Sequence, residues 1–388
     1  MADPRVRDIE DMRRTPIISI FLNSYNHEKF LRESIDSILG QTFTDYELII
    51  KDDASTDSSW DIICSYSDSR IRAFRNETNR QRQFGHFLPD LRGQYVAMHN
   101  SDDVWEPSKL EKQVAYLEAH PEVGAVFTRV EFIDENSRPI SGNIAFPINF
   151  FNQPNRDRFG WLNYFFYYGN ALCHPSVLIR KECYEKCGCY RRGLVQLPDF
   201  DMWVRLCLKY EIHVLQEKLV NYRLLLDNAN ASSPTLTNLI RSNFENLQIY
   251  QNYLALTDRD ELVRVLPAIN RYEVGGYYNH RYLIARAALD KEDDPVCWLF
   301  GLQVLFDLLN DPQEAAALKQ YYQFTPNTFS QLSGSRDVFH EEVHQQEYQL
   351  VHYMKRKIWK WIKPLRDIEN LLGRIKKTSR SMIYKEEE

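Results

Sequence analysis

The chain has 388 residues, a formal charge of -6, and a composition that is 44% hydrophobic and 13% aromatic. That much apolar side chain is globular and not disordered, and the acidic balance excludes general nucleic-acid binding, so any basic surface must be local. There is no run of about 18 apolar residues to suggest a membrane span, and the length predicts two or three domains.

The N-terminus, Met1-Ala2-Asp3-Pro4-Arg5, is polar, and residues 1–14 read as a tail. Seven cysteines, an odd number, imply free thiols in a reducing compartment, so a cytoplasmic protein is expected. Cys173, Cys183, Cys187 and Cys189 lie close together but lack the paired C-x-x-C spacing of structural zinc sites.

Residues 17–22 form an apolar run that predicts a buried strand, and Asn23-Ser24-Tyr25-Asn26 follows as a polar turn. Leu31, Ile35, Ile38 and Leu39 recur at helical spacing, with Asn26 or a neighbour as cap and Gly40 as stop. A second strand, 47–51, runs into Asp52-Asp53. Ser55-Thr56-Asp57 can then cap a helix carrying Trp60, Ile63 and Tyr66, and 71–74 reads as a third strand. Such a β-α-β-α-β opening implies a mostly parallel sheet flanked by helices.

Residues 95–98 predict a strand that ends at Asn100-Ser101-Asp102-Asp103. Pro107 opens a helix with Leu110, Val114 and Leu117 on one face, His120-Pro121 ends it, and 123–132 resumes as strand. Residues 141–170, rich in Asn, Phe, Pro and Tyr, read as an ordered excursion without periodicity. Strand signal returns at 177–180, and 201–210 reads as a helix with Trp203, Leu206 and Leu208 for packing. Beyond residue 233 helical spacing dominates. The expected organisation is therefore an α/β domain over 15–235 and a mainly α-helical domain over 236–388. No G-x-G-x-x-G is present and glycine is scarce, at 14 residues, which argues against a dinucleotide-binding domain.

Two acidic pairs placed just after strands, Asp52-Asp53 and Asp102-Asp103, are the main functional signal. Adjacent carboxylates repel unless a cation, a hydrogen-bond donor or water compensates. Asp, Ser and Thr also favour turns and helix caps, so one such segment alone reads as a turn. Two of them in an alternating strand and helix pattern point to a ligand, because ligands of open α/β sheets collect beyond the carboxyl ends of strands.

The segments Ser19-Ile20-Phe21-Leu22-Asn23-Ser24-Tyr25-Asn26, Ser37-Ile38-Leu39-Gly40-Gln41-Thr42 and Asp52-Asp53-Ala54-Ser55-Thr56-Asp57 resemble family 2 glycosyltransferases of the GT-A fold. Gly93-Gln94-Tyr95-Val96-Ala97 through Asn100-Ser101-Asp102-Asp103 resembles the family's metal-binding DXD region. His174-Pro175-Ser176-Val177 with Gly188-Cys189-Tyr190 resembles its acceptor-side strand and turn. Pro198-Asp199-Phe200-Asp201-Met202-Trp203-Val204-Arg205-Leu206 resembles the segment that supplies its catalytic base. The resemblance covers residues 15–230.

It implies a nucleotide-sugar donor of the UDP-linked kind, and Mn²⁺ or Mg²⁺ held by oxygen ligands. Asp103 is the implied direct metal ligand and Asp102 the contact to ribose or metal-bound water. Asp52 and above all Asp53 would read the base, Tyr25 would stack on it, and Asn23 and Ser24 would present backbone groups. Asp199 is the implied base for the acceptor hydroxyl, with Asp201 as fallback, and a cap role for Asp199 is the alternative. His174 and Arg223 are secondary candidates for contacts to the diphosphate or acceptor, with a core or surface role equally open for each. The implied outcome is a single displacement with inversion, onto a glycan or lipid-linked acceptor in surface polysaccharide synthesis. The chain departs from the family pattern at Asn23-Ser24, where Pro-Thr is common, at Asn100, where a third aspartate is common, and at Pro198, where glutamate is common. A nucleotidyltransferase and a non-catalytic glycan-binding scaffold are the alternatives, and the first lacks its glycine-rich phosphate loop.

Residues 355–380 hold ten Lys or Arg against Asp367 and Glu369. Ile358, Trp361, Ile362, Leu365, Ile368, Leu372 and Ile375 follow helical spacing. Such a segment suits an anionic membrane surface, as in a peripheral protein, or equally a helix packed on the domain with a solvated basic face.

Overall fold

The computed structural model describes residues 15–79, 83–140, 149–225 and 235–339. The expected tail at 1–14 and the basic segment at 355–380 lie outside the described residues. The chain divides into two compact units, Met1–Thr325 and Pro326–Glu388. In the second, the described element is one helix, Pro326–Ser333.

The first unit is built on an eight-stranded sheet of order β3-β2-β1-β4-β7-β6-β8-β5. Its strands are β1 (Ile18–Ser24), β2 (Tyr46–Asp52), β3 (Ile71–Arg75), β4 (Tyr95–Asn100), β5 (Val104–Trp105), β6 (Val123–Ile133), β7 (Leu178–Arg180) and β8 (Glu211–Arg223). β3, β2, β1 and β4 are parallel, as the alternating opening predicts. The other half is mixed, because β7 runs antiparallel to both β4 and β6 while β8 is parallel to β6. That reversal turns the start of β7 toward the carboxyl end of β4, with Leu178 level with Ala97.

The central strands are buried on both faces. Ile18, Ile20 and Leu22 of β1 face the cluster completed by helices α1 (Leu31–Leu39) and α3 (Lys109–Ala119), through Leu31, Ile35, Ile38, Leu110, Val114 and Leu117. On the other face Phe21 meets Phe84 and Phe87, with ring centroids 5.2 and 5.3 Å apart. Gly93 leads into β4 so close to β1 that a Cβ there would stand 2.3 Å from the Ser19 nitrogen. Only glycine fits this approach. A short helix, α2 (Ser59–Cys64), follows the first acidic pair.

Two elements differ from expectation. Helix α4 (Arg158–Tyr168) occupies the second half of the predicted excursion, of which residues 141–148 lie outside the described residues. Phe159, Trp161, Leu162, Phe165 and Phe166 are all buried, and a helix apolar on most sides carries no amphipathic period to read. The long strand β8 follows a short helix, α5 (Lys181–Cys187), and the helix α6 (Pro198–Cys207), which starts and ends before the predicted 201–210. Its alternation is broken by exposed Gln216, Glu217 and Lys218 and by register shifts against β6, which hid it.

The expected domain boundary at 235/236 does not separate the compact units. Helices α7 (Leu236–Tyr250), α8 (Arg259–Val265), α9 (His280–Leu289), α10 (Pro295–Asn310) and α11 (Pro312–Tyr322) belong with the sheet. Tyr253 donates to the Leu162 carbonyl at 2.9 Å, and Lys291 Nζ to that of Phe166 at 3.0 Å, both on α4. The change from strand to helix period marks a change of secondary structure and not of packing. The seven cysteines are free thiols. Among the described residues no helix is long and apolar enough to cross a membrane.

Candidate active site

Sheet register brings the two acidic pairs together. Asn23 of β1 is level with Lys51 of β2 and Asn100 of β4, and Ser24 is level with Asp52. Asp52-Asp53 and Asp102-Asp103 therefore stand on either side of Asn23, Ser24 and Tyr25. Backbone at Asn26 (φ 52°) and Ala54 (φ 64°) is left-handed, a conformation that costs a non-glycine residue about 1 kcal/mol or more. The two turns offset that cost by bonding each other. The Asn26 N–H donates to Ser55 Oγ at 3.0 Å, and the Thr56 N–H donates to Asn26 Oδ1 at 2.8 Å. Asn26 is thus a brace between the turns and not the cap of α1, whose cap position is Phe30.

Within the first pair the carboxylates differ. Asp52 is fully buried; one oxygen accepts from the Ser55 N–H at 3.1 Å and lies 3.4 Å from Arg75 Nε. Its Oδ1 and the Ser24 Oγ are buried with no hydrogen-bond partner among the described residues. Asp53 accepts from Asn76 Nδ2 at 2.7 Å and pairs with Lys51 Nζ at 3.2 Å. Asp52 anchors the turn, and Asp53, slightly more open, is the member that can meet a ligand. Asn23 is exposed and Tyr25 is 43% exposed.

The second pair is arranged in depth. Asp103, 1% exposed, accepts from the Arg223 backbone N–H at 2.9 Å and from Asn100 Nδ2 at 3.1 Å. Asp102, 9% exposed, takes no side-chain hydrogen bond from another described residue. Burial pushes both carboxyls above the usual aspartate range. Asp103 goes well above because the Asp102 charge adds to its desolvation, against the pull of the Arg223 and Asn100 bonds. Two buried neighbouring carboxylates, hard oxygen donors at a strand end, fit Mg²⁺ or Mn²⁺, which take one or two carboxylates and complete their shell with phosphate oxygens and water. Among the described residues no group of three or more His, Cys, Asp or Glu is placed to hold a metal by itself.

Arg223 stands behind this pair, entirely buried. Its side chain donates to the Asp102 carbonyl at 2.7 Å, to the Asp134 carbonyl at 2.8 Å and to Glu33 Oε2 at 2.7 Å. It is a strut for the acidic turn and not a contact facing a substrate. His27 was not singled out by sequence, yet its Nδ1 lies 2.8 Å from Ser101 Oγ and its charge pulls the Asp102 carboxyl down. Its position directly after the Asn23–Asn26 turn was the available signal.

Asp199 comes from the first turn of α6. Asn170 Nδ2 donates to it at 3.1 Å; burial raises its carboxyl, while the neighbouring His174 and the Phe200 N–H pull it down. Burial in turn pushes the His174 imidazole down, and its Nε2 lies 2.9 Å from the Tyr190 hydroxyl. The buried Cys173 thiol is pushed up by desolvation and by both Asp103 and Asp199, so the acidic turn and Asp199 flank one residue. Asp201 faces elsewhere. It is fully buried, pairs with Arg191 and with Arg205 Nε at 2.9 Å, and accepts from Asn252 Nδ2 at 2.9 Å. The arrangement leaves Asp199, and not Asp201, near the acidic turn.

The profile described as Glycosyl transferase family 2 matches residues 19–180. An uncharacterised glycosyltransferase of Methanocaldococcus jannaschii is 32% identical over 217 residues, covering 54% of this chain and 71% of that protein. The putative glycosyltransferase EpsE of Bacillus subtilis is 32% identical over 220 residues, covering 55% of this chain and 74% of its own. Among solved structures, a fragment of S. aureus TarS in complex with UDP-GlcNAc superposes with a TM-score of 0.53 at 17% identity, over 85% of this chain and 92% of that one. At that identity the likeness is one of fold.

Proposed function

The chain belongs to glycosyltransferase family 2, and from that premise we propose that it moves a sugar from a UDP-type donor to a hydroxyl of a glycan or lipid-linked acceptor in surface polysaccharide synthesis. The observation that carries this reading is the level register of β1, β2 and β4, which sets two acidic pairs around an exposed tyrosine with a third carboxylate, Asp199, approaching from α6.

In this reading Tyr25 stacks on the nucleotide base and Asp53 accepts a base N–H on an oxygen it shares with Lys51 or Asn76. Asp102 is the outward metal ligand and Asp103 the inner one, fixed by the Arg223 N–H and Asn100. A divalent cation bound there supplies positive charge to the leaving diphosphate. Asp199 takes the proton of the attacking acceptor hydroxyl, held by Asn170 with His174 beside it. One displacement inverts the anomeric centre.

Titration calorimetry with UDP, with and without Mn²⁺, tests the reading before any donor sugar is known. Metal-dependent binding that disappears in Asp102→Asn is the expected result. Wild-type protein that takes up no UDP with Mn²⁺ present would refute the donor assignment and favour a scaffold role.

A further inference from the structure

Helix α7 buries Ile249 and Tyr250 near its C-terminal end, and one turn earlier it buries a charged residue, Glu245. Leu236, Leu239, Ile240 and Phe244 of the preceding turns are exposed, so Glu245 is the group that this part of the helix sets inward.

The Glu245 carboxylate is held by backbone amides. Its Oε1 accepts from the Val195 N–H at 2.8 Å and the Gln196 N–H at 3.1 Å. Its Oε2 accepts from the Gln196 N–H at 2.9 Å and the Leu197 N–H at 2.6 Å. Charge-assisted bonds of this kind compensate a buried carboxylate. The three amides lead straight into α6, whose cap residue Leu197 has no side-chain acceptor to offer. Glu245, from a different part of the chain, instead accepts from the N–H of this cap residue and from the two amides before it, just ahead of the helix, where the dipole favours an anion. Two further bonds tie the same region down. The Gln248 carbonyl accepts from Arg191 at 3.2 Å, and Asn252 Nδ2 donates to Asp201 at 2.9 Å. Asp199 lies two residues beyond Leu197, in the first turn of α6.

We propose that Glu245 is a positioning residue for sugar transfer: its carboxylate fixes the 195–197 turn and thereby aims Asp199 at the acceptor hydroxyl. This rests on Asp199 being the base. It makes α7 part of the catalytic apparatus and not an appendage to it.

The test is Glu245→Gln in the full chain, which keeps the shape but turns one acceptor into an N–H donor facing a backbone N–H. Three readouts are needed: UDP binding with Mn²⁺, steady-state transfer with the nucleotide sugar that wild type turns over, and amide hydrogen exchange. Transfer kcat should fall about 100-fold, the loss expected for a misplaced reacting group. The donor KM and UDP affinity should stay within about twofold, since donor binding is untouched. Exchange should quicken at 195–201 and remain as in wild type across β1, β2 and β4. A variant with wild-type kcat overturns the proposal. So does exchange that quickens throughout the sheet with loss of UDP binding, because Glu245 would then hold the fold and not the turn. Asp199→Asn separates this inference from its premise. Full activity there removes the base assignment itself, whereas an inactive Asp199→Asn beside a fully active Glu245→Gln overturns only the role of Glu245.

Discussion

The two sides of the proposed site, one for the nucleotide and one for the acceptor, are built on different principles, although each ends in carboxylates. The nucleotide side comes from three parallel strands whose ends are level by backbone pairing, and its turns brace one another through Asn26, Ser55 and Thr56. The acceptor side has no such common register. Asp199 is in contact with Asn170 after α4 and has His174 before β7 beside it, with Tyr190 behind that histidine, and in the role proposed above it relies on Glu245 of α7 for its turn. A site made from consecutive strand ends is carried by local motifs, whereas one assembled from scattered elements depends on packing. The nucleotide side should therefore fail by loss of ligand binding or of folding, and the acceptor side by loss of rate with binding intact.

The largest expected effects test that division directly. Asp102→Asn and Asp199→Asn should each lower transfer by about 10³-fold, within the usual range for loss of an acid–base or charge-stabilising group. Calorimetry should show metal-dependent UDP binding lost in the first and kept in the second. One shared signature for both variants would break the comparison.

Gly93→Ala probes the rigidity of the parallel half. The new Cβ would meet the Ser19 nitrogen at 2.3 Å, so urea unfolding should show a loss of about 3 kcal/mol. Asn100→Asp examines the departure at the acidic turn, where Asn100 donates to Asp103 at 3.1 Å. A third carboxylate would replace that donor with a like charge. Stability should fall by about 1–3 kcal/mol, the cost of a lost buried hydrogen bond, and added Mn²⁺ should return part of it in thermal melts. Unchanged melting with and without metal would count against Asn100 as the brace of Asp103.

A pH profile addresses the acceptor side. Asp199 must be ionised to accept a proton, and burial raises its carboxyl above the ordinary value of 3.8. Transfer should therefore decline on acidification in a window above the ordinary aspartate range, as Asp199 takes up its proton. An acid limb at or below 3.8 would remove Asp199 from the role. The smallest effect is expected at Tyr25, where alanine should weaken UDP binding by about 1 kcal/mol through lost stacking.

Much of this site was legible before any coordinates. The strands before each acidic pair, and the approximate start of the helix bearing Asp199, follow from apolar runs and turn chemistry. The departures were visible as letters but not as physics. Asn100 read as a missing charge, and it is a donor that steadies Asp103. Arg223 read as either a substrate contact or a core or surface residue, and it is a buried strut behind the acidic turn. Glu245 was not singled out by sequence, because nothing near it in the chain marks its partners at 195–197.

By itself the sequence determined the parallel half of the sheet and the two acidic pairs at strand ends, because each is carried by apolar runs and turn residues a few positions away, whereas Asp199 was marked by the family resemblance alone. Tertiary structure alone decided the mixed half of the sheet, the depth order of Asp102 and Asp103, the commitment of Asp201 to arginines, and the union of the helices between residues 236 and 322 with the sheet. These rest on burial and on hydrogen bonds between segments far apart in the chain, as between Glu245 and residues 195–197. Local periodicity carries no record of such partners.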